Sequence, residues 1–179
     1  MNKITFVMFL LFNVATQAQE KLSSSSGITS FEASIPLFEE VKADNKKTKG
    51  TLIVKNGHIV FSLHINDFEF KRNLMKEHFN SNYLESNRYP KATFKGDIEN
   101  FDIKTIKQNR TVYNIKGKIT IKGKSKNIAI KATLQKTKNG IEFISEFPLN
   151  TDDFQIEIPF VVRSKISKTV NTRVLCFLQ

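Results

Sequence analysis

The sequence predicts an all-β domain, an antiparallel barrel of about eight strands with one short helical insertion. Three observations carry that reading. Residues 57–65 alternate strictly, with Ile59, Phe61, Leu63 and Ile65 on one side and Val60, Ser62 and His64 on the other. Alternation sends successive side chains to opposite faces of a strand, so one face is apolar and the other mixed. The pattern returns along nearly the whole chain without a long helical stretch, and Asn56-Gly57 and Asn139-Gly140 stand between alternating runs as hairpin signals.

The elements follow in order. Lys3 precedes an apolar run from Ile4 to Val14, broken only by Thr5 and Asn13, and Thr16-Gln17-Ala18 is a small-residue cleavage site. Residues 1–18 therefore read as a signal peptide cut before Gln19, with residues 19–179 as one exported domain, periplasmic or secreted. The run is shorter than the ~20 apolar residues a spanning helix needs. Lys21 to Gly27 is a Ser-rich segment that reads as an edge strand, and Ile28 to Ile35 alternates until Pro36 ends it. Residues 37–49 read as a short helical turn and loop. Thr51 to Val54 and His58 to Ile65 form the first hairpin.

The period changes at Phe68. Leu74, Met75, His78 and Phe79 have i, i+3, i+4 spacing, and Tyr83 and Leu84 extend the stripe. That is a short amphipathic helix, closed at Tyr89-Pro90 because the residue before proline disfavours helix. Alternation then resumes. Ala92, Phe94, Gly96 and Ile98 share a face, as do Tyr113, Ile115, Gly117, Ile119 and Ile121. A turn at Lys122 to Ser125 leads to Ile128, Ile130, Ala132 and Leu134. Ile141, Phe143, Ser145 and Phe147 follow the second hairpin, and Thr151 to Phe160 reads as a loop with some strand character. Ile166, Val170, Val174, Cys176 and Leu178 finish the last strand.

Composition narrows the function. Cys176 is the only cysteine, so no intrachain disulfide exists, and it reads as a small buried hydrophobe. Of 16 Phe, three (Phe6, Phe9 and Phe12) lie in the leader, leaving a large apolar payload and no Trp. The formal charge of +11, reduced by one when Lys3 leaves, favours anionic partners such as acidic lipid headgroups. The lysines are nevertheless scattered, as at Lys104, Lys107, Lys116, Lys118, Lys122, Lys124, Lys126 and Lys131, and several lie on the polar side of alternating strands. An exported chain with no basic helix and no aromatic platform is not expected to meet nucleic acid.

Catalytic and metal signals are weak. His58, His64 and His78 hold no metal-ligand spacing, and His58 and His64 share the polar face of one strand. No Gly-x-Ser-x-Gly elbow or phosphate-cradling glycine loop occurs. Asp152-Asp153 and Glu39-Glu40 are adjacent pairs that point apart, and Asn109-Arg110-Thr111 matches a glycosylation sequon. His78 reads first as a capped core residue on the helix and second as a hydrogen-bonding group at a barrel mouth. No catalytic residue, metal or cofactor is expected.

Two stretches resemble a known family. Residues 78–94, from His78 through Tyr89-Pro90 to Phe94, resemble the helix-to-strand signature of the YceI-like family. Residues 117–128, Gly-Lys-Ile-Thr-Ile-Lys-Gly-Lys-Ser-Lys-Asn-Ile, resemble its second signature, and the similarity spans roughly residues 28–178. The resemblance implies an extended lipocalin-like barrel, exported and non-enzymatic, whose tunnel holds an isoprenoid quinone, a polyprenyl phosphate or another long-chain lipid. Phe61, Leu63, Ile65, Phe94, Ile115, Ile119, Phe143 and Val174 would line it, with Leu74, Met75, His78, Phe79, Tyr83 and Leu84 as a cover. Where the family has Arg-Asp before the histidine this chain has Met75-Lys76, so no charge pair is expected at the mouth. Three functions remain open from the residues. One is a lipid carrier, and docking on an anionic membrane through lysines at one rim is compatible with it and with the next. Another is an interaction or stress-related module whose barrel is plugged by its own side chains. The third is an enzyme, with His78 and Thr120 the only polar candidates.

Overall fold

The computed structural model describes residues 20–179. Strand β1 is Lys21–Ser34, β2 Lys42–Ile53, β3 His58–His64, β4 Glu69–Phe70, β5 Lys91–Ile98, β6 Thr111–Ile121, β7 Lys124–Thr137, β8 Gly140–Asn150 and β9 Ile166–Leu178. Helix α1 is Asn73–His78. Neighbours run in the order β1-β9-β8-β7-β6-β5-β3-β2, and β2 returns to β1. Every one of these pairings is antiparallel. The result is a closed barrel of eight strands, the expected class; the two-residue β4 adds to β2 where Ala43 meets Phe70. Closure pairs each of the eight strands on both sides over part of its length. The signal peptide reading falls on residues 1–18, outside the described residues.

Turn chemistry fixes the register. Lys122 and Gly123 both have positive φ, 49° and 70°, so the β6–β7 connection is a two-residue turn of the primed kind that matches strand twist. Thr137 pairs with Gly140 across Lys138-Asn139, and Ile53 pairs with His58 across the turn ending at Asn56-Gly57. Between β3 and β5 the chain leaves the barrel as α1. It then widens into a π turn, Phe79–Tyr83, where the Leu84 amide donates to the Phe79 carbonyl at 2.9 Å.

The Ser-rich segment is the start of β1 and pairs with β2 from Lys21 onward, while β9 joins from Ile28, so its other side is met only where Ser23 exchanges backbone hydrogen bonds with Gln179. Two expectations need correction. Residues 42–49, expected as helical turn and loop, are strand. Their inward positions are Ala43, Asn45 and Thr48, all buried and none a large apolar residue, and a register shift between Asn45 and Thr48 breaks the period of two. Asn45 sustains that irregularity, its amide donating to the His64 carbonyl at 2.8 Å and its side-chain oxygen accepting from the Lys47 amide at 2.9 Å. Residues 151–160 carry no strand. A 3₁₀ turn, Thr151–Phe154, buries Phe154, and the loop after it buries Ile158 and runs into a second 3₁₀ turn, Phe160–Val162.

Candidate functional site

The inward rows do different things at the two ends of the barrel. One end holds the β2–β3 turn, the β5–β6 loop and the β7–β8 turn. There Leu52, Ile59, Ile98, Ile115, Leu134, Ile141, Cys176 and Leu178 form a solid apolar cluster. Ile106 and Ile103 from the β5–β6 loop cap it, and the loop is pinned where the Lys136 amide donates to the Lys107 carbonyl at 2.8 Å. Burial pushes the Cys176 thiol above its ordinary pKa, with a weaker opposing hydrogen bond from Ser24, so it stays protonated and apolar.

The other end, towards the β1–β2 loop, the α1 insertion and the β8–β9 loop, is hollow. A cavity of about 430 Å³ opens there. Its floor is Phe61, Phe94, Ile119, Ile130, Phe143 and Val174, which also belong to the solid cluster beneath. Phe61 and Phe143 touch with centroids 4.8 Å apart. Phe94 lies over the cross-strand pair Gly96 and Gly117: a Cβ on Gly117 would sit 2.6 Å from its ring and one on Gly96 2.8 Å. The Phe61 ring lies over Gly50 in the same way, 2.8 Å from where a Cβ would stand. Rings laid on glycines leave the lumen open, so a Phe-rich interior need not be a plug.

Three of the hydroxyls in the walls are spent on hydrogen bonds within the walls. Thr29 and Thr48 share a hydroxyl hydrogen bond of 2.8 Å, and Ser145 donates to the Lys131 carbonyl at 2.8 Å. What these side chains offer the lumen is methyl and methylene surface. Thr151 is the exception, since its buried hydroxyl has no partner.

The cover is built on aromatic contacts. Phe79, from the turn after α1, stacks on Phe31 at 5.3 Å and meets Phe70 at 5.0 Å and Phe68 at 5.5 Å. Leu63, Ile65 and Leu84 are buried beside them. Tyr83 is half-buried, and that burial raises its phenol pKa, leaving it neutral. Glu85, just past the cover, pairs with Lys122 of the β6–β7 turn at 2.8 Å. The lysine holds its carboxyl below the usual range through a hydrogen bond and its charge, and Arg88 adds to this.

Of the residues singled out from the sequence, Phe61, Leu63, Ile65, Leu74, Met75, His78, Phe79, Tyr83, Phe94, Ile119, Phe143 and Val174 all line the cavity. Ile115 does not: it lies two inward positions from Ile119, past Gly117, towards the closed end and is packed solid there. His78 is exposed at the mouth rather than capped in a core, because α1 buries none of its residues. Thr120 faces outward and shares a 2.8 Å hydrogen bond with Ser125. The mouth does carry a charge pair, contrary to expectation. Arg72 at the start of α1 grips Glu39 of the β1–β2 loop through two contacts, 2.8 and 2.9 Å.

Sequence reasoning missed much of the lining. Phe68 and Phe70 belong to it but precede the helix in an irregular stretch, and Phe154, Ile156, Ile158 and Val162 reach it from the β8–β9 loop. The spacing of isoleucines at 156 and 158 was the one available signal. Among the described residues no three His, Cys, Asp or Glu side chains gather as a metal site, and no helix is long and apolar enough to cross a membrane.

A family model described as the YceI-like domain matches residues 14–175. Among solved structures, the chain is similar to a polyisoprenoid binding domain from Saccharophagus degradans implicated in plant cell wall breakdown, at 14% identity and a TM-score of 0.77, over 89% of this chain and 97% of that one. It is similar to BcnA of Burkholderia cenocepacia at 16% identity and a TM-score of 0.67, over 83% and 94% of the two chains. A YCEI protein of Campylobacter jejuni aligns at 17% identity and a TM-score of 0.52, over 88% and 84%. At these identities the likeness establishes the fold. No curated protein matches the chain.

Proposed function

The chain belongs to the YceI-like domain family, and from that premise we propose that it binds a long apolar chain in the open half of its barrel and sequesters or carries it outside the cytoplasm. The cargo is an isoprenoid quinone, a polyprenyl phosphate or another long-chain lipid, held tail-inward without a cofactor. One observation carries the reading: the cavity of about 430 Å³ has an almost wholly apolar lining, and its size lies within the ~300–1,000 Å³ range of ligand sites. Water is a poor solvent for a prenyl tail. At about 0.8 kcal/mol per buried CH₂, ten such groups supply ~8 kcal/mol before ordering costs, which is micromolar binding. Charge is confined to the mouth, where Arg72 and Glu39 sit, so a polar headgroup is expected there. The reading is of a binding protein rather than an enzyme: on the lumen the Thr29, Thr48 and Ser145 hydroxyls are engaged within the walls, and the unpartnered Thr151 hydroxyl stands without a nucleophile–base pair around it.

The competing reading, a barrel plugged by its own side chains, describes the closed half alone. The two are separated by organic extraction of the purified protein with mass spectrometry, followed by titration of the stripped protein with a fluorescent polyene. Saturable uptake is expected. Phe61→Asp should abolish it, at some cost to the fold. Ala92→Phe, which fills the lumen from a wall position, should abolish it while leaving the unfolding midpoint unchanged or raised. A clean extract together with no polyene uptake by the wild type would rule the carrier out.

A further inference from the structure

Two loops at the mouth repeat one short pattern: Ile35-Pro36-Leu37-Phe38 between β1 and β2, and Ile158-Pro159-Phe160-Val161 between β8 and β9. In each, an isoleucine, half-buried at Ile35 and buried at Ile158, precedes a proline that stiffens the chain, and two large apolar residues stand in solvent. Leu37 is 103% exposed, Phe38 46%, Phe160 85% and Val161 81%, and Leu74 on α1 is 61% exposed. Leu37 holds φ at +73°, a left-handed conformation that costs a leucine energy. The three segments surround one opening. Arg72 and Glu39 tie α1 to the first loop, and Leu74, Val41, Ile158 and Val162 line the same cavity. The other exposed large apolar residues among those described, Val112 and Phe177, stand singly on strands β6 and β9.

The charge around these tips is positive. Glu39 is engaged by Arg72 and Glu40 by Lys42. Among the described residues Lys71, Lys76, Arg163 and Lys165 have no carboxylate within ion-pair distance, and they outnumber Glu77 and Glu157, which have no cation so placed. Apolar points ringed by lysine and arginine fit the boundary between acyl chains and anionic headgroups.

We propose that this rim docks on a lipid bilayer bearing anionic headgroups, with Leu37, Phe38, Leu74, Phe160 and Val161 entering the acyl boundary and the basic residues lying on the headgroups. The inference deepens the carrier reading and rests on it for its purpose, since a mouth pressed to the bilayer passes an apolar tail without exposing it to water. Its chemistry stands separately. The test is sedimentation of the purified protein with vesicles of phosphatidylcholine alone or mixed with phosphatidylglycerol, beside polyene uptake from solution. Phe160→Ser/Val161→Ser alters only exposed positions, so folding and polyene uptake should persist while partition to the mixed vesicles falls about tenfold or more. Lys165→Glu or added salt should weaken partition to mixed vesicles and leave the small partition to phosphatidylcholine unchanged. Absence of wild-type partition, or partition untouched by the double substitution, overturns the proposal. So does a wild-type dimer that the double substitution turns into a monomer, which would make the rim a contact between copies. If vesicles bind and polyene does not, the carrier reading fails and the docking surface stands.

Discussion

At the closed end of the barrel the inward positions are Leu52, Ile59, Ile115, Leu134, Ile141 and Leu178, and they pack against one another. At the open end the matching rows supply Thr29, Ala33, Thr48, Ala92, Ser145 and Thr172 between phenyl rings. Small residues retreat from the axis and rings cannot fill the gaps they leave, so the same alternation encloses a plug in one half and a cavity in the other. Inside-out patterning thus decides that a barrel forms. The volumes chosen for the inward positions decide whether it is filled.

The sharpest way to break that contrast is chemical access. Cys176 is fully buried at the closed end, and burial raises its thiol pKa, so only opening of the barrel exposes a thiolate. A Leu74→Cys/Cys176→Ser variant places the thiol at the exposed mouth. The rate of reaction with a disulfide reagent at pH 8 should be roughly a thousandfold slower for the wild type than for that variant. Comparable rates would mean that the closed half is not solid in solution.

Truncation tests the same contrast through stability. Leu134→Ala removes contacts on all sides and should cost about 2–5 kcal/mol by denaturant unfolding. Leu63→Ala removes a wall that already faces open space, and about half that loss or less is expected. Equal costs would argue that the cavity closes in solution. Added cargo should stabilise the wild type and protect it less in the Leu63 variant.

Much of the barrel was legible because alternation is a backbone property visible in β3, β6, β8 and β9. The first part of β2, residues 42–49, was not legible, since Asn45 and Thr48 point inward and are satisfied by hydrogen bonds that no sequence spacing reveals. The floor of the cavity was legible as inward residues, but its depth was not. Ile115 and Ile119 occupy equivalent phases on β6, yet Ile119 meets the lumen and Ile115 the plug. The β8–β9 loop contributes Phe154 and Ile158 without any period, and loops of that kind are placed by tertiary contacts alone.

The boundary between the halves depends on glycine. A Cβ at Gly117 would stand 2.5 Å from the Lys95 carbonyl oxygen and 2.6 Å from the Phe94 ring. Gly117→Ala must therefore part β5 from β6 or lift the ring into the lumen, at a cost of about 1–3 kcal/mol. If the ring lifts, polyene capacity falls with stability. If the strands part, capacity survives. A double substitution with Phe94→Leu separates the outcomes, because it should restore much of the lost stability only when the ring is the obstacle.

The smallest effect concerns what ties the cover down. The closed half is held by apolar packing, whereas α1 and the turn after it are flanked by two ion pairs, Arg72 with Glu39 and Glu85 with Lys122. Lys122 is mostly shielded beneath the cover and Glu85 partly so. The Glu85 carboxyl lies below its ordinary 4.5 in the folded state, so its contribution is present above that value and is lost as pH falls through the lower folded one. Glu85→Gln should thus lower the unfolding midpoint slightly at pH 7, and the difference from wild type should vanish in acid. Hydrogen exchange should place the change in residues 79–89 and leave β6 near Ile115 untouched. If protection were lost at both ends together, the two halves would unfold as one unit, and the cover could not open over a barrel whose base stays shut.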